Sequence, residues 1–212
     1  MKLYDLTPSP YCARVRMQIY AKGLDVEIVR PNWPPDAAYR RLTGTGKVPA
    51  LVVDGDILVE STAICEYLED RGEGPSLRPV SPLERGRMRM MMALTGSHLT
   101  PPVQSLIPLL LARRFEGREV GPALADMRHA LHLVERFLAG GRHAVAGQLT
   151  LADCTLLPML FYVKFLAPLY GWPDPLRDRP KTAEYYRLAG EEKAAARMLG
   201  ELTASLAKAP RP

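Results

Sequence analysis

Apolar and polar positions follow two regimes that change near residue 80. Ahead of that point short apolar runs alternate with short stretches of helical spacing. Beyond it the spacing is helical throughout, and a Gly/Pro-rich connector, Gly72 to Pro82, lies between. The chain therefore reads as an α/β domain followed by an all-α domain. Lys2 to Leu6 predicts a strand, and after the loop Pro8-Ser9-Pro10 the residues Cys12, Val15 and Ile19 recur at helical spacing. Gly23 stops that helix, with Leu24 placed for the hydrophobic contact of a Schellman cap. Val26 to Val29 predicts a second strand and completes a right-handed βαβ unit. Asp36 to Leu42 predicts a short helix. Ala50 to Val53 and Ile57 to Val59 predict a hairpin turned by Asp54-Gly55-Asp56, and Ser61 reads as the cap of a helix carrying Ile64, Cys65 and Leu68 on one side.

In the second half a helix begins near Pro82 and is bent near Pro101-Pro102, because proline cannot donate to the helical ladder. Leu124, Met127, Leu131, Val134 and Leu138 form one apolar stripe within Gly121 to Ala139. From Leu151 to Leu166 nearly every position is apolar, which predicts a helix at the centre of a bundle. Pro158, Lys164 and Pro168 interrupt this stretch, so it reads as a buried helix and not as a membrane span. Thr150 and Asp153 are spaced as a capping box at its start, with Leu149 and Cys154 as the accompanying staple, and Asp153 is read as structural.

Composition changes this picture little. With 212 residues, 47% hydrophobic and 24% charged, the chain is long and apolar enough to fold around a sizeable core. A net charge of +5 suits anionic ligands, but the Arg85, Arg87 and Arg89 run has no interleaved aromatics, so it reads as a solvated helix face and nucleic acid is not an expected partner. Three separated cysteines, Cys12, Cys65 and Cys154, argue against a disulfide framework and fit a reducing compartment. Asp5 and Pro8 interrupt any leader-like apolar run, so the cytoplasm is the expected location. His98, His129, His132 and His143 lack a zinc-type partner set, and no metal is expected.

The chemistry begins at Ser9-Pro10-Tyr11-Cys12, between the first strand and the first helix, where backbone N–H groups and the helix dipole favour an anion. Glutaredoxin-like proteins carry Cys-Pro-Tyr-Cys in this position. With serine in place of the first cysteine no disulfide cycle is available, and a hydroxyl remains that can donate to another molecule's sulfur.

Four stretches, SPYCARVR, GKVPALVVDGD, LVESTAICEYL and GQLTLADCTLLPML, resemble the cytosolic glutathione transferase family in order and spacing. The resemblance implies a thioredoxin-like domain over residues 1–78 that holds glutathione, and an all-helical domain over residues 83–212 that contributes the pocket for a second substrate. It also implies a homodimer, with glutathione as co-substrate. By that resemblance Ser9 is the thiol-activating hydroxyl, and Val48, preceding the cis-proline Pro49, pairs with the cysteinyl backbone. Glu60 and Ser61 hold the γ-glutamyl end, and Gly147, Thr150 and Asp153 form the helix-capping motif. A carboxylate at Glu60 and free helix N–H groups at Ser61 also suit the zwitterionic end of an amino acid on physical grounds.

Each assignment has a plain alternative. Ser9 is equally the residue type of an N-cap, Cys12 is either a buried first-turn residue or a reactive thiol, and Lys47 is either a partner for the glycine carboxylate or a solvated lysine. Tyr11, His98 and Gln104 are candidates for the second-substrate pocket. Thr43-Gly44 stands where the family often has Asn-Pro, which predicts a looser loop, and no acid lies between Glu84 and Glu116 to complete a partner's glutamyl site. SPYCARVR is similar to the zeta-like, isomerase-bearing branch, although Pro10 departs from it. Three readings remain: a transferase for an apolar electrophile, a glutathione-dependent cis-trans isomerase of maleylacetoacetate type, or a non-catalytic binding module.

Overall fold

The computed structural model describes residues 1–207 and 209, so the last positions of the expected helical domain lie outside the described residues. Strands β1 (Lys2–Tyr4), β2 (Glu27–Val29), β3 (Ala50–Val53) and β4 (Asp56–Val59) form one sheet in the order β2-β1-β3-β4. β1 runs parallel to β2, with Leu3 opposite Ile28. The other pairs are antiparallel, with Leu3 opposite Leu51 and Leu51 opposite Leu58. Helix α1 (Pro10–Lys22) joins the parallel pair. Asp54 and Gly55, at φ 50° and 95°, turn the hairpin, as a two-residue primed turn requires. Gly23 takes φ 65°, and the N–H groups of Gly23 and Leu24 return to the Tyr20 and Ile19 carbonyls, closing the Schellman cap.

Helix α1 is more deeply enclosed than its apolar spacing predicts. Arg14, Arg16, Gln18 and Lys22 are all buried beside Val15 and Ile19, because the helix packs on α3 (Ser61–Asp70), α7 (Leu151–Leu169) and α9 (Lys193–Leu206). Most of these polar groups are answered. Arg16 grips both oxygens of Asp5 at 2.6 and 2.7 Å, and Lys22 meets Glu69 at 3.0 Å. The second Glu69 oxygen accepts from Ser76 Oγ and the Leu77 N–H, and Lys22 also donates to the Pro75 carbonyl, so the connector is laced to the end of α1. Gly74 is needed in that lacing, since a Cβ there would collide with the Lys22 carbonyl oxygen.

The helical half contains α4 (Pro82–Leu94), a π-helical turn at Thr95–Leu99, α5 (Thr100–Leu111), α6 (Val120–Phe137), α7, α8 (Pro180–Ala189) and α9. The bend expected at Pro101-Pro102 is taken up one turn earlier. Those two prolines withhold the N–H groups that would bond to Ser97 and His98, and the ladder widens into the π turn. The Thr95 and Thr100 hydroxyls add second bonds to the carbonyls of Met91 and Thr95 at 2.8 and 2.9 Å, which already accept the backbone N–H groups of the same two threonines. Helix α7 runs unbroken through Pro158 and Pro168, with 78% of its most apolar stretch buried, and packs on α1, α4, α5, α8 and α9. Helix α9 returns from the helical half to lie on α1.

Candidate active site

The turn Leu6–Ser9 delivers the chain from β1 into α1, with the Ser9 N–H bonded to the Leu6 carbonyl at 2.8 Å. Ser9 is the N-cap at φ −80° and ψ 124°, and its Oγ accepts from the Cys12 N–H at 3.3 Å. The two readings of Ser9 are therefore compatible. A hydroxyl has one proton to give and two lone pairs, so capping uses the acceptor side and leaves the donor free. Cys12 lies behind this cap with no exposure, and its sulfur accepts from the Leu6 N–H at 3.4 Å. Burial first, then the neighbouring Asp5 charge, push its thiol up to about 12, which does not suit a reactive thiolate at neutral pH.

The loop from Thr43 to Pro49 is tied more firmly than its Thr-Gly start predicts. The Thr43 hydroxyl accepts from the Gly46 N–H at 2.9 Å, the Thr45 hydroxyl from the Lys47 N–H at 3.2 Å, and Tyr39 donates to the Lys47 carbonyl at 2.8 Å. Asp36 sets up the last contact by capping α2 (Ala37–Thr43) through the Tyr39 N–H at 2.7 Å. The Val48–Pro49 peptide is cis, as the resemblance implies, and so is Trp33–Pro34, which no feature of the sequence predicts.

At the head of α3 the expected cap moves by one residue. Glu60 occupies the N-cap position at φ 69° and ψ 111°, an unfavourable backbone region for a residue with a Cβ, and Ser61 is the first helical residue. Ser61 Oγ does not cap. It accepts from Arg14 Nη1 at 3.1 Å, while Thr62 Oγ1 accepts from the same nitrogen at 2.8 Å. Arg14 is only 6% exposed and, among the described residues, has no carboxylate as a hydrogen-bond partner and keeps an unpartnered Nε. Burial lowers its pKa, yet a guanidinium remains charged, so a buried cation stands directly behind Ser61. The sequence signal for it is an arginine inside α1 with no acid three or four residues away to pair with.

These elements meet in a cleft of about 150 Å³ lined by Tyr11, Thr45, Lys47, Val48, Pro49, Val59, Glu60 and Ser61. Its far wall carries an acid and a helix N-terminus backed by Arg14, and its near wall is the first turn of α1. Larger clefts lie elsewhere, one along the connector and one between α1 and α9, but neither gathers this chemistry.

Residues 3–76 match the family model of the glutathione S-transferase N-terminal domain, and residues 87–188 match that of the C-terminal domain. The chain belongs to the glutathione S-transferase family. A maleylacetoacetate isomerase of Pseudomonas aeruginosa is 34% identical over 190 residues, covering 82% of this chain and 86% of the relative. A glutathione S-transferase of Pseudomonas putida is 29% identical over 218 residues, covering 97% and 94%. Among solved structures, a maleyl pyruvate isomerase described as a bacterial glutathione S-transferase of zeta class superposes with a TM-score of 0.77. It is 26% identical, with 93% of this chain and 96% of that one covered.

Of the site residues expected for a family member, the cleft gathers Tyr11, Lys47, Val48, Pro49, Glu60 and Ser61. Ser9 lies just outside its lining, at the head of the helix that supplies Tyr11. His98 is elsewhere: it is exposed and its ring meets His129 of α6 at 6.2 Å. Gln104, half-buried on α5, does not line the cleft either. Helical phase could not be carried from α4 to these two positions, because a π turn adds a residue and rotates the rest of the helix about its axis. Gly147 takes φ 63° just ahead of the α7 cap.

The strained backbone at Glu60 makes a separable prediction. Glu60→Gly relieves a conformation worth about 1–3 kcal/mol, offset by about 0.5–1 kcal/mol of glycine chain entropy. The expected result is an unfolding midpoint unchanged or raised, together with a clear rise in KM for glutathione. A lowered midpoint in thermal denaturation would show that Glu60 is held there for stability.

Proposed function

We propose that this family member binds glutathione in the cleft between the head of α1 and the head of α3, and that the Ser9 hydroxyl stabilises the thiolate for attack on a mostly apolar electrophile. The observation carrying this reading is that one small cleft is lined by Glu60 and by Ser61 backed by buried Arg14. Glu60 takes the α-ammonium, Ser61 and its neighbouring N–H groups take the α-carboxylate, and the Val48 backbone takes the cysteinyl unit. That arrangement fixes the tripeptide at its γ-glutamyl end and directs the sulfur toward Ser9. Lys47 is the partner we assign to the glycine carboxylate. Cys12 has no part in the chemistry. The second substrate meets the sulfur near Tyr11, against the helical domain, and we place the division between the domains in the connector.

The Pseudomonas aeruginosa isomerase supports a second reading, in which the same thiolate adds to a conjugated cis double bond and leaves after rotation. A detoxifying role, a cytoplasmic location and a homodimer complete the proposal, on family resemblance alone. The test is retention on immobilised glutathione combined with turnover. Conjugation of an activated aryl halide supports the transferase, and isomerisation of a maleyl-type cis-enone supports the second reading. Retention with neither activity would leave a binding module.

A further inference from the structure

The turn that carries Ser9 is pinned at every carbonyl, and two of the pins come from outside it. The Leu6 carbonyl accepts from the Ser9 N–H and the Ser9 carbonyl from the Ala13 N–H, as a turn and a helix start require. The two carbonyls between them belong to residues that make no such local bond. Thr7 O accepts from Arg16 Nη2 at 2.9 Å, and Pro8 O accepts from the hydroxyl of Tyr162, which stands on the opposite domain's core helix α7. Tyr162 is 3% exposed, and burial raises its pKa, so the phenol keeps its proton and acts as the donor.

We propose that Tyr162 is a positioning residue for Ser9, acting through the Pro8 carbonyl and assisted by Arg16 at the Thr7 carbonyl; the proposal rests on the reading of Ser9 given above. The peptide plane between Pro8 and Ser9 is held at both ends, its N–H by Leu6 and its oxygen by Tyr162. Fixing that plane fixes φ of Ser9 and hence the direction of its Cα–Cβ bond. The remaining freedom of the side chain is removed by the Cys12 N–H on Oγ. A hydrogen bond to a thiolate weakens steeply as its angle departs from linear, so a plane free to rock would spend part of its time with the hydroxyl misaimed. Arg16 cannot replace Tyr162, since its guanidinium is committed to Asp5, to Glu201 of α9 and to the Thr7 carbonyl. The helical domain thereby contributes to the thiol's acidity without touching glutathione.

The chain supplies its own control. Tyr170, at the C-terminal end of the same helix and 5% exposed, donates to the Leu106 carbonyl at 3.0 Å, a bond of the same kind aimed away from Ser9. Tyr162→Phe and Tyr170→Phe each remove one buried phenol-to-carbonyl bond and keep the ring in the core. A structural role alone would move both variants together.

The readout is the pH titration of the bound glutathione thiol by its thiolate absorbance, alongside kcat and KM. Tyr162→Phe is expected to raise the thiol pKa by at least about half a unit and to lower kcat at mildly acidic pH about threefold or more, with KM for glutathione within about twofold. Tyr170→Phe is expected to do neither, and Ser9→Ala to raise the pKa further. If Ser9→Ala raises the pKa while Tyr162→Phe leaves it at the wild-type value, or if both tyrosine variants shift it equally, the positioning role is wrong and the reading of Ser9 survives. If Ser9→Ala itself leaves the thiol unmoved, both fall together.

Discussion

Ser9→Ala lowers turnover at least about tenfold while glutathione still binds, and the loss is greatest on the acidic side of the pH profile. A hydrogen bond to a charged acceptor contributes about 1.5–3 kcal/mol and a helix N-terminus about 0.3–1 kcal/mol. Together they lower a thiol pKa by about 1.3–3 units, from near 8.5 toward neutrality. Alanine removes the larger contribution and leaves the dipole. The thiol pKa then rises, so at a pH below the new value less thiolate is present and the rate falls. Above it both forms of the enzyme hold thiolate and their rates converge. The N-cap bond from the Cys12 N–H complicates the measurement, because alanine also forfeits a cap worth about 1 kcal/mol of stability. Ser9→Gly resolves this, since glycine in that position costs only a few tenths of a kcal/mol. Equal loss of turnover in both variants, with an unfolding midpoint nearer wild type for glycine, assigns the catalytic part to the hydroxyl. Full activity in either variant at mildly acidic pH would remove Ser9 from the mechanism.

Legibility in the sequence differs between local and long-range features. The hairpin at Asp54-Gly55, the Schellman cap at Gly23 and the capping box at Thr150 and Asp153 are each decided by residues within a few positions of one another, and they stand where their spacing puts them. Arg14 and Arg16 are not legible in the same way. On a helical wheel Arg14 falls opposite the Cys12, Val15 and Ile19 face and Arg16 at its edge, one turn from Cys12, and the packing of α3, α7 and α9 around α1 buries both. Their partners, Ser61, Thr62, Asp5 and Glu201, lie between 11 and 185 residues away. The same limit explains Ser61, whose placement inside the helix follows from the positive φ of Glu60 and not from its own capping propensity.

The two halves of the site are therefore joined by polar contacts that cross the domain boundary. Glu201 of the last helix holds Arg16, Arg16 holds the Thr7 carbonyl, and Tyr162 of the core helix holds the Pro8 carbonyl. On the connector side the Leu151 N–H, at the start of α7, donates to the Leu77 carbonyl at 3.1 Å. The start of α7 is thus both a helix terminus and a seam between domains, which gives its cap more weight than an exposed one carries.

Asp153→Ala is expected to destabilise the chain more than any of the other substitutions named above. Asp153 is completely buried, with one oxygen accepting from the Ala144 N–H at 2.7 Å and the other from the Thr150 N–H and hydroxyl at 2.8 and 2.9 Å. Burial is the largest influence on its carboxyl and raises the pKa in spite of these three donors. Alanine strands two buried backbone N–H groups and a hydroxyl. At about 1–3 kcal/mol for each unsatisfied group, partly relieved by relaxation or entry of water, the expected loss is about 3–5 kcal/mol. In a chain of this length that corresponds to a fall in unfolding midpoint of roughly 10 °C or more. Asp153→Asn tests the mechanism more closely. Its single oxygen can serve the loop at Ala144 or the cap at Thr150 but not both, and its amide opposes the other donor, so its stability should fall between aspartate and alanine. Because neither change touches the cleft, material that remains folded at low temperature should bind glutathione normally. An alanine variant within about 1 kcal/mol of the parent in denaturant titration would show that the α7 cap is dispensable.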